Sequence, residues 1–218
     1  GRATKGAWQR ARGKGRATKG AWQRASGKGR AAKGACNGRA AKARGAKVTC
    51  GITPAHFMLS DLATVDFRTF ARLSPPLRSE DDRHAVREAI ADGTIGVIAS
   101  GHDPRGPEDK RLPFSDAEPG MAGAETLLAM TLSLVRDDVI DMGRAFELVA
   151  ATPAGILGVD AGVIMEGYEA DIVLVDPDKP WVIQSARMEA TAGNTPFDGQ
   201  PTQGRVTAMY KGGVEIDC

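Results

Sequence analysis

Residues 92–104 read DGTIGVIASGHDP, and this stretch decides which fold class the sequence predicts. Thr94 to Ala99 is a short apolar run whose composition predicts a strand buried on both faces. The polar loop from Ser100 to Pro107 follows it, and an apolar, helix-like segment from Glu125 to Val135 comes after a second loop. Strand, loop and helix in this order are typical of a parallel sheet or barrel of the α/β class.

The residues before this stretch continue the alternation of strand and helix. Lys47 to Thr53 predicts a short strand that Pro54 ends. Ser79 and the three acidic residues after it form a helix start signal, and apolar residues then recur at helical spacing up to Gly93. We therefore expect a strand and a helix immediately before the strand at residues 94–99.

The sequence changes character towards its carboxyl end. Gly143 to Ala151 predicts a helix that stops at Pro153. Short strand-like runs separated by turn residues follow, at Gly162–Ile164, Ala170–Val175, Trp181–Ile183 and Arg205–Tyr210. We expect an α/β unit over residues 48–158 and a small antiparallel β unit over residues 159–218.

The first 47 residues differ from the rest in charge and in repetition. They hold 15 of the 29 Lys and Arg residues and no acidic residue, whereas the remaining chain has a formal net charge of −13. GRATKGAWQRARGK at residues 1–14 returns as GRATKGAWQRASGK at residues 15–28. Because such a segment buries almost no apolar surface, residues 1–47 are predicted to be disordered. The repeat is either GC-rich DNA translated in the wrong frame or a nucleic-acid-binding arm in which Trp8 and Trp22 stack on bases.

Cysteine content and hydropathy indicate the compartment. Cys36, Cys50 and Cys218 are odd in number and widely spaced, which favours a reduced, cytoplasmic protein over a disulfide framework. No apolar run in the sequence approaches the roughly 18 residues of a membrane-spanning helix. The Arg-rich amino terminus lacks the apolar core of a secretory signal. We therefore expect a cytoplasmic protein without a membrane partner.

Motifs spread along the chain match, in order, those of one enzyme family. Residues 74–83 read SPPLRSEDDR, residues 120–126 read GMAGAET and residues 193–197 read GNTPF. Together with DGTIGVIASGHDP, they resemble the N-P-P-L-R-S-x-x-D-R, G-I-V-G-x-E-T, G-N-T-P-F and D-G-T-I-D-x-I-A-T-D-H-A-P motifs of dihydroorotases. Residues 162–176, GVIMEGYEADIVLVD, are similar to the closing β segment of many cyclic amidohydrolases. The resemblance covers residues 40–218.

The resemblance implies a fold, a reaction and a metal. Dihydroorotases are TIM barrels with a small β-sandwich built from both chain ends, so residues 48–158 are expected to form a partial (β/α) barrel and residues 159–218 a sandwich segment. The family hydrolyses and re-forms the cyclic amide of dihydroorotate in pyrimidine synthesis, usually with zinc.

The metal ligands that the resemblance implies are mostly missing from this sequence. In the family they come from an H-x-H pair, a bridging carboxylated lysine or carboxylate, and two later histidines, and none of that region is present. With three histidines in all, the sequence offers no replacement cluster. We therefore expect an amino-terminally truncated fragment that binds no zinc and does not hydrolyse dihydroorotate.

The one metal ligand that the resemblance places in this sequence is the Asp of D-H-A-P, which also shuttles the proton in the family. Gly101 occupies that position and has no side chain for either role. Asp103 stands two residues later, and in one interpretation a reshaped loop brings its carboxylate to the metal. The alternative is that Asp103 and Pro104 initiate a turn. Asp103 is thus the candidate catalytic residue and the candidate metal ligand.

The substrate contacts that the resemblance implies also differ in part. The family's Asn before P-P-L-R is Ser74 here, and its His after D-H-A-P is Arg105, which is suited to bidentate binding of a carboxylate. His102 and Gly120 keep the family residues and complete the candidate substrate-binding set. Arg105 is alternatively a solvated loop charge, and His102 a residue that orients a loop by hydrogen bonding. His56 also matches a family His and is interpreted as a packing residue.

Three functional hypotheses follow. The first is a zinc dihydroorotase that is a homo-oligomer when full length and acts on dihydroorotate or carbamoyl aspartate. The second is a catalytically inactive dihydroorotase-like subunit that partners aspartate transcarbamoylase, which Ser74, Gly101 and Arg105 favour. The third is a basic-tailed nucleic-acid-binding protein, for which binding would weaken steeply with salt and depend on residues 1–47.

Overall fold

The computed structural model describes residues 30–217, so the repeat at residues 1–29 and Cys218 lie outside the described residues. The helices are α1 (Arg30–Ala43), α2 (Pro54–Met58), α3 (Glu80–Ala91), α4 (Pro107–Lys110), α5 (Leu127–Arg136), α6 (Met142–Phe146) and α7 (Thr152–Leu157). The strands are β1 (Gly51–Ile52), β2 (Val97–Ile98), β3 (Ile172–Val182), β4 (Pro201–Lys211) and β5 (Val214–Ile216). Shorter helical turns lie at Asp61–Thr64, Thr69–Ala71, Glu147–Ala151 and Ser185–Arg187. None of the described helices is long and apolar enough to cross a membrane.

Strands β1 and β2 lie side by side and parallel, as the strand–loop–helix pattern predicts. Ile52 pairs with Ile98, and the Ala99 amide donates to the Ile52 carbonyl at 2.9 Å. The chain passes from β1 to β2 through α2 and α3, so both strands run in the same direction. The residues that follow them, Thr53 and Ser100, therefore lie at one edge of the pair.

Helix α3 begins and ends where the sequence predicts. The Ser79 hydroxyl accepts a hydrogen bond from the Asp82 amide at 3.3 Å and caps the first turn. Three acidic residues in that turn interact favourably with the helix dipole. Gly93, at a φ of +77°, follows the end of the helix. His84 is exposed beside Glu80.

The prediction of disorder over residues 1–47 is wrong for α1. Gly38 is buried against Cys50, the residue before β1, where an added Cβ would lie 2.5 Å from Cys50 Sγ, so the helix lies close to this residue. The Lys42 ammonium donates to the Thr94 carbonyl at 2.7 Å, just past the carboxyl end of α3. The composition of residues 1–47 predicted disorder because composition contains no information on the contacts that α1 makes with distant residues of the folded chain.

The prediction that Pro153 stops a helix is also wrong. The helical path continues from α6 through a π-helical turn at Glu147–Ala151 into α7. Pro153 lies in the first turn of α7, where the N–H that proline lacks is not needed for a hydrogen bond within that helix. The wider turn before it accommodates the ring. Gly158, at a φ of +68°, then ends α7.

The closing residues form an antiparallel sheet in the order β3-β4-β5, which confirms the predicted β unit. Strand β3 covers most of the two runs predicted at residues 170–175 and 181–183, with shifts of register between Leu174 and Val175 and between Asp176 and Pro180. The predicted strand at Gly162–Ile164 is wrong, because these residues belong to turns in which Gly162 and Gly167 adopt positive φ. The described residues form this sheet and the β1–β2 pair, so the β-sandwich stays a prediction.

One hydrophobic core joins the two units. Phe57 from α2 and Leu134 from α5 are fully buried in it, and so are Ile183 and Phe197 from the closing unit. Because burial of such side chains stabilises the folded state by about 1.5–3 kcal/mol each, these contacts hold the small sheet against the helices.

The close contact at Gly38 predicts a difference between two matched substitutions. Gly155 lies in α7 with open space where a Cβ would be, so Gly155→Ala is expected to raise the free energy of unfolding by about 0.5–1 kcal/mol. Gly38→Ala gains the same helix propensity but meets Cys50 Sγ. We expect it to be about 1–2 kcal/mol less stable than Gly155→Ala in urea denaturation. Adding Cys50→Ala to Gly38→Ala should recover most of this difference, and a failure to do so would contradict the contact.

Candidate functional site

A pocket of about 680 Å³ opens at the carboxyl ends of β1 and β2. This edge carries the functional side chains in barrel-type α/β proteins. The pocket brings together all the site residues that the sequence predicts. Its lining consists of Thr53, His56, Leu73, Ser74, Pro75, Ala99, Gly101, His102, Asp103, Arg105, Pro119, Gly120 and Met121.

Asp103 and Arg105 form an ion pair on the pocket wall. Arg105 Nη2 donates to Asp103 Oδ2 at 2.7 Å, and Arg105 Nε donates to the Pro119 carbonyl at 3.1 Å. The two side chains are 56% and 36% exposed, so solvent reaches the pair. The candidate metal ligand and the candidate carboxylate-binding residue thus bind each other. A ligand carboxylate would compete with Asp103 for the guanidinium.

Gly101 leaves no room for the aspartate that the family motif has at its position. Its φ is +62°, a region that residues with side chains rarely adopt. An added Cβ would lie 2.9 Å from Thr53 Cγ2 and 3.1 Å from Thr53 Cβ. The glycine is therefore part of the packing between the loop after β2 and the residue after β1.

His102 orients the neighbouring loop. Its Nδ1 accepts hydrogen bonds from the amides of Gly123 and Ala124 at 3.3 and 3.2 Å. Its backbone also forms a parallel bridge with Met121. Because Nδ1 accepts, the neutral imidazole carries its proton on Nε2. This geometry agrees with the interpretation of His102 as a residue that holds a loop in place.

His56 uses both ring nitrogens within the protein. Nε2 lies 3.0 Å from the Pro75 carbonyl, which can only accept, so Nε2 donates. Nδ1 then accepts from the Thr53 hydroxyl at 2.7 Å. Burial lowers the pKa of His56, against a smaller raising effect of the bond to Pro75, and the ring is neutral at pH 7. This arrangement leaves neither nitrogen for a metal ion and agrees with a packing role.

Ser74 and Gly120 lie on the pocket wall in different ways. Ser74 is exposed, whereas Gly120 is buried. The Gly120 amide donates to the Arg72 carbonyl at 3.1 Å, and its carbonyl accepts from Asn194 Nδ2 at 3.0 Å. At its φ of +139°, an added Cβ would lie 2.4 Å from the Asp103 carbonyl oxygen. Gly120 thus shapes the wall beside Asp103 while both of its backbone polar groups are hydrogen-bonded.

Lys110 is a residue of the site's framework that sequence reasoning missed. The residue is 4% exposed, and its ammonium donates to the carbonyls of Thr69, Arg72 and Glu118 at 3.1, 3.4 and 2.7 Å. Desolvation, and then repulsion from Arg72 and Arg105, lower the pKa of Lys110 to about 8. It joins the two segments that lead into the pocket wall. A lysine in a polar loop gives no sequence signal of such burial, because most lysines are solvated.

The donor groups in the described part of the chain do not fit zinc. Residues 30–217 contain no group of three or more His, Cys, Asp or Glu side chains that could hold a metal ion, whereas protein zinc sites use at least three. In the pocket, Asp103 is bound to Arg105, and the ring nitrogens of His56 are in use. Nδ1 of His102 accepts from two amides.

Curated relatives of this chain include several dihydroorotases. A model of the amidohydrolase family matches residues 16–216. The dihydroorotase of Desulfotalea psychrophila is 39% identical over 165 residues, which make up 76% of this chain and 39% of that protein. The dihydroorotase of Citrifermentans bemidjiense is 41% identical over 162 residues, or 74% of this chain and 38% of that protein. The chain thus spans about two fifths of the length of these curated relatives.

Solved structures of similar shape share the fold. The L-hydantoinase (dihydropyrimidinase) from Arthrobacter aurescens matches with a TM-score of 0.80 and 24% identity, over 85% of this chain and 42% of that one. The dihydropyrimidinase from Brevibacillus agri matches with a TM-score of 0.77 and 23% identity, over 84% of this chain and 42% of that one. At this identity the likeness shows the fold alone. It confirms the predicted relation to the TIM-barrel fold of amidohydrolases.

Restoring the family's aspartate with Gly101→Asp is expected to destabilise the chain without creating a zinc site. The positive φ and the contact with Thr53 together oppose a side chain by about 1–3 kcal/mol. Gly106→Asp is the matched control, because Gly106 has a φ of −61° and an added Cβ would lie 3.9 Å from the nearest atom of Asp109. Urea denaturation measures stability, and equilibrium dialysis measures bound zinc. Stoichiometric zinc binding by Gly101→Asp at unchanged stability would contradict the prediction.

Lys110 predicts a pH dependence of stability. Its pKa is about 8 in the folded chain and 10.5 when exposed, so the unfolded chain binds more protons between these pH values. The contribution of Lys110 to folding therefore becomes more favourable as the pH rises from 8 to 10.5, by up to about 3 kcal/mol. Below pH 8 the full cost of burying the charge is present.

The measurement compares wild type with Lys110→Met by urea denaturation across this pH range. The variant leaves the carbonyls of Thr69, Arg72 and Glu118 without the Lys110 donor, and we expect it to lose about 1–3 kcal/mol at pH 7. The difference in free energy of unfolding between wild type and Lys110→Met should increase from pH 8 to pH 10.5. Lys179→Met, at an exposed lysine, is the control and should show no such increase. A difference that is constant with pH would show that Lys110 titrates like a solvated lysine.

Proposed function

This chain belongs to the amidohydrolase family, and from this premise we propose that it is the carboxyl-terminal part of a dihydroorotase-like cyclic amidohydrolase. The proposed ligands are dihydroorotate and its open form, carbamoyl aspartate, which both carry a carboxylate. About 40% identity with dihydroorotases over three quarters of the chain supports this ligand class.

The observation that carries the proposal is the place of Arg105 in the pocket. Its guanidinium lines the carboxyl-terminal edge of the strand pair, where a planar donor group can bind a ligand carboxylate in two hydrogen bonds. The carboxylate would replace Asp103 at Nη2, while the bond from Nε to Pro119 keeps the guanidinium on the wall. Displacement of Asp103 by the ligand costs little free energy, because an ion pair as exposed as that of Asp103 and Arg105 contributes little to stability.

In this proposal the chain binds its ligand without hydrolysing it. Amide hydrolysis needs a group that activates water, and Gly101 has no side chain where the family has its proton-shuttling Asp. His56 is neutral with both nitrogens in use, and Asp103 is ion-paired with Arg105 until a ligand carboxylate takes its place. In the family a metal supplies bound hydroxide, but the donors present here do not fit that metal. Hydrolysis by the parent enzyme would thus depend on residues outside those described.

A second candidate function is a catalytically inactive subunit that partners aspartate transcarbamoylase. The close packing of Gly101 against Thr53 favours this candidate. Thr53 fills the space that an aspartate side chain at position 101 would need, so the loop is suited to glycine and not to aspartate. Co-sedimentation of this chain with a bacterial aspartate transcarbamoylase tests this candidate. Association would support the partner role, and independent sedimentation at micromolar concentrations would reject it.

The first candidate predicts binding without turnover. With added zinc, the chain should neither hydrolyse dihydroorotate nor cyclise carbamoyl aspartate above the level of Arg105→Met. Carbamoyl aspartate should nevertheless bind, and Arg105→Met should weaken its affinity about tenfold or more, as loss of a charge-assisted hydrogen bond implies. Asp103→Asn should strengthen binding several-fold because it removes the competing carboxylate. Isothermal titration calorimetry measures these affinities.

Arg111→Met is the matched control, since Arg111 is exposed and does not line the pocket. Its affinity for carbamoyl aspartate should equal that of wild type. Turnover by the wild-type chain, or equal affinity in Arg105→Met and wild type, would contradict the proposal.

A further inference from the structure

We propose that Asn194 is a positioning residue that sets the relative placement of Arg105 and Gly120, a role that rests on the proposed binding of a carboxylate by Arg105. Asn194 is 3% exposed and belongs to the GNTPF segment between β3 and β4. Its Oδ1 accepts the Arg105 amide at 2.8 Å, and its Nδ2 donates to the Gly120 carbonyl at 3.0 Å. One side chain from the closing unit thus connects two parts of the pocket wall.

The two partners require a carboxamide at this position. The Arg105 amide needs an acceptor and the Gly120 carbonyl needs a donor, and both must come from a short side chain in one buried place. An aspartate would satisfy Arg105 but present a second acceptor to the Gly120 carbonyl. An apolar side chain would leave both backbone groups buried and unpaired, which is costly.

The backbone around Asn194 holds the carboxamide in place. An added Cβ on Gly193 would lie 1.9 Å from the Ser185 carbonyl oxygen, so the turn approaches its neighbour as closely as a glycine allows. The Thr195 hydroxyl accepts the Phe197 amide at 3.3 Å, and Phe197 is fully buried in the core. The Asn194 carbonyl also accepts the Ala122 amide at 3.0 Å. The residues of GNTPF thereby anchor Asn194 to the rigid part of the molecule.

The contact between Arg105 and Gly120 explains how Asn194 affects the candidate site. An added Cβ on Gly120 would lie 3.1 Å from Arg105 Nε, so the guanidinium rests directly against this glycine. Asn194 fixes the Arg105 backbone on one side and the Gly120 backbone on the other. Without this bridge, the guanidinium would lose its defined position relative to the wall even though its charge is unchanged.

The experiment uses the full chain and two readouts, hydrogen exchange of the Arg105 amide and affinity for carbamoyl aspartate. In Asn194→Ala, we expect the Arg105 amide to exchange at least tenfold faster and the affinity to fall about tenfold. In Asn194→Asp, the acceptor is kept, so the Arg105 amide should stay slow while the affinity still falls. Asn37→Ala, at an exposed asparagine of α1, is the control and should change neither readout.

A double-mutant cycle separates positioning from general destabilisation. The effect of Asn194→Ala on affinity should largely vanish when Arg105→Met is already present, because the positioned group is gone. Unchanged exchange at Arg105 in Asn194→Ala, or an equal loss of affinity in both backgrounds, would overturn the positioning role. If the wild-type chain binds no carbamoyl aspartate, the proposed function fails, whereas the exchange readout still decides whether Asn194 holds Arg105.

Discussion

The close approach of Thr53 and Gly101 is the constraint on which the rest of the site depends. Both residues follow a strand of the parallel pair, and parallel pairing brings the two loops to the same edge. The Thr53 side chain occupies the space that a Cβ at position 101 would need. The loop after β2 therefore turns with a positive φ and delivers its first carboxylate at Asp103, two residues later.

The pocket wall is stabilised mainly by hydrogen bonds to backbone groups. Lys110 donates to three carbonyls, and Asn194 bonds an amide and a carbonyl on the two sides of the wall. His102 accepts two further amides. These polar side chains pair with backbone groups where loops leave the regular structure, and such groups are costly when they are buried and unpaired. The ion pair of Asp103 and Arg105 is more exposed, and its partners can therefore exchange with a ligand.

The sequence was sufficient for features with a local cause. The start of α3 follows from Ser79 and its acidic neighbours, and the parallel strands follow from two short apolar runs with loops after them. The residues gathered around the pocket could also be predicted, because loops that follow parallel strands meet at one edge. The pairing of Asp103 with Arg105 could not, since it depends on the path of a loop that its glycines and prolines alone do not determine.

Features with a distant cause escaped the sequence analysis. Lys110 and Asn194 act on segments far away in the chain, and nothing near them in the sequence reports their burial. GNTPF could be recognised as a motif in the sequence. The roles of Gly193 and Asn194 within it follow from their contacts with Ser185, Arg105 and Gly120, which only the structure shows. Helix α1 was missed for the same reason, because the residues that it contacts, Cys50, Asp92 and Thr94, lie far along the chain from it.

The contacts of α1 with the folded chain have a consequence for changes in the sequence that precedes this helix. Contacts of α1 with the folded chain come from Gly38, Arg39 and Lys42, which lie within about one helical turn: Gly38 approaches Cys50, Arg39 pairs with Asp92 and Lys42 donates to the Thr94 carbonyl. Replacement of the sequence ahead of Gly38, whatever its origin, would leave these three contacts in place.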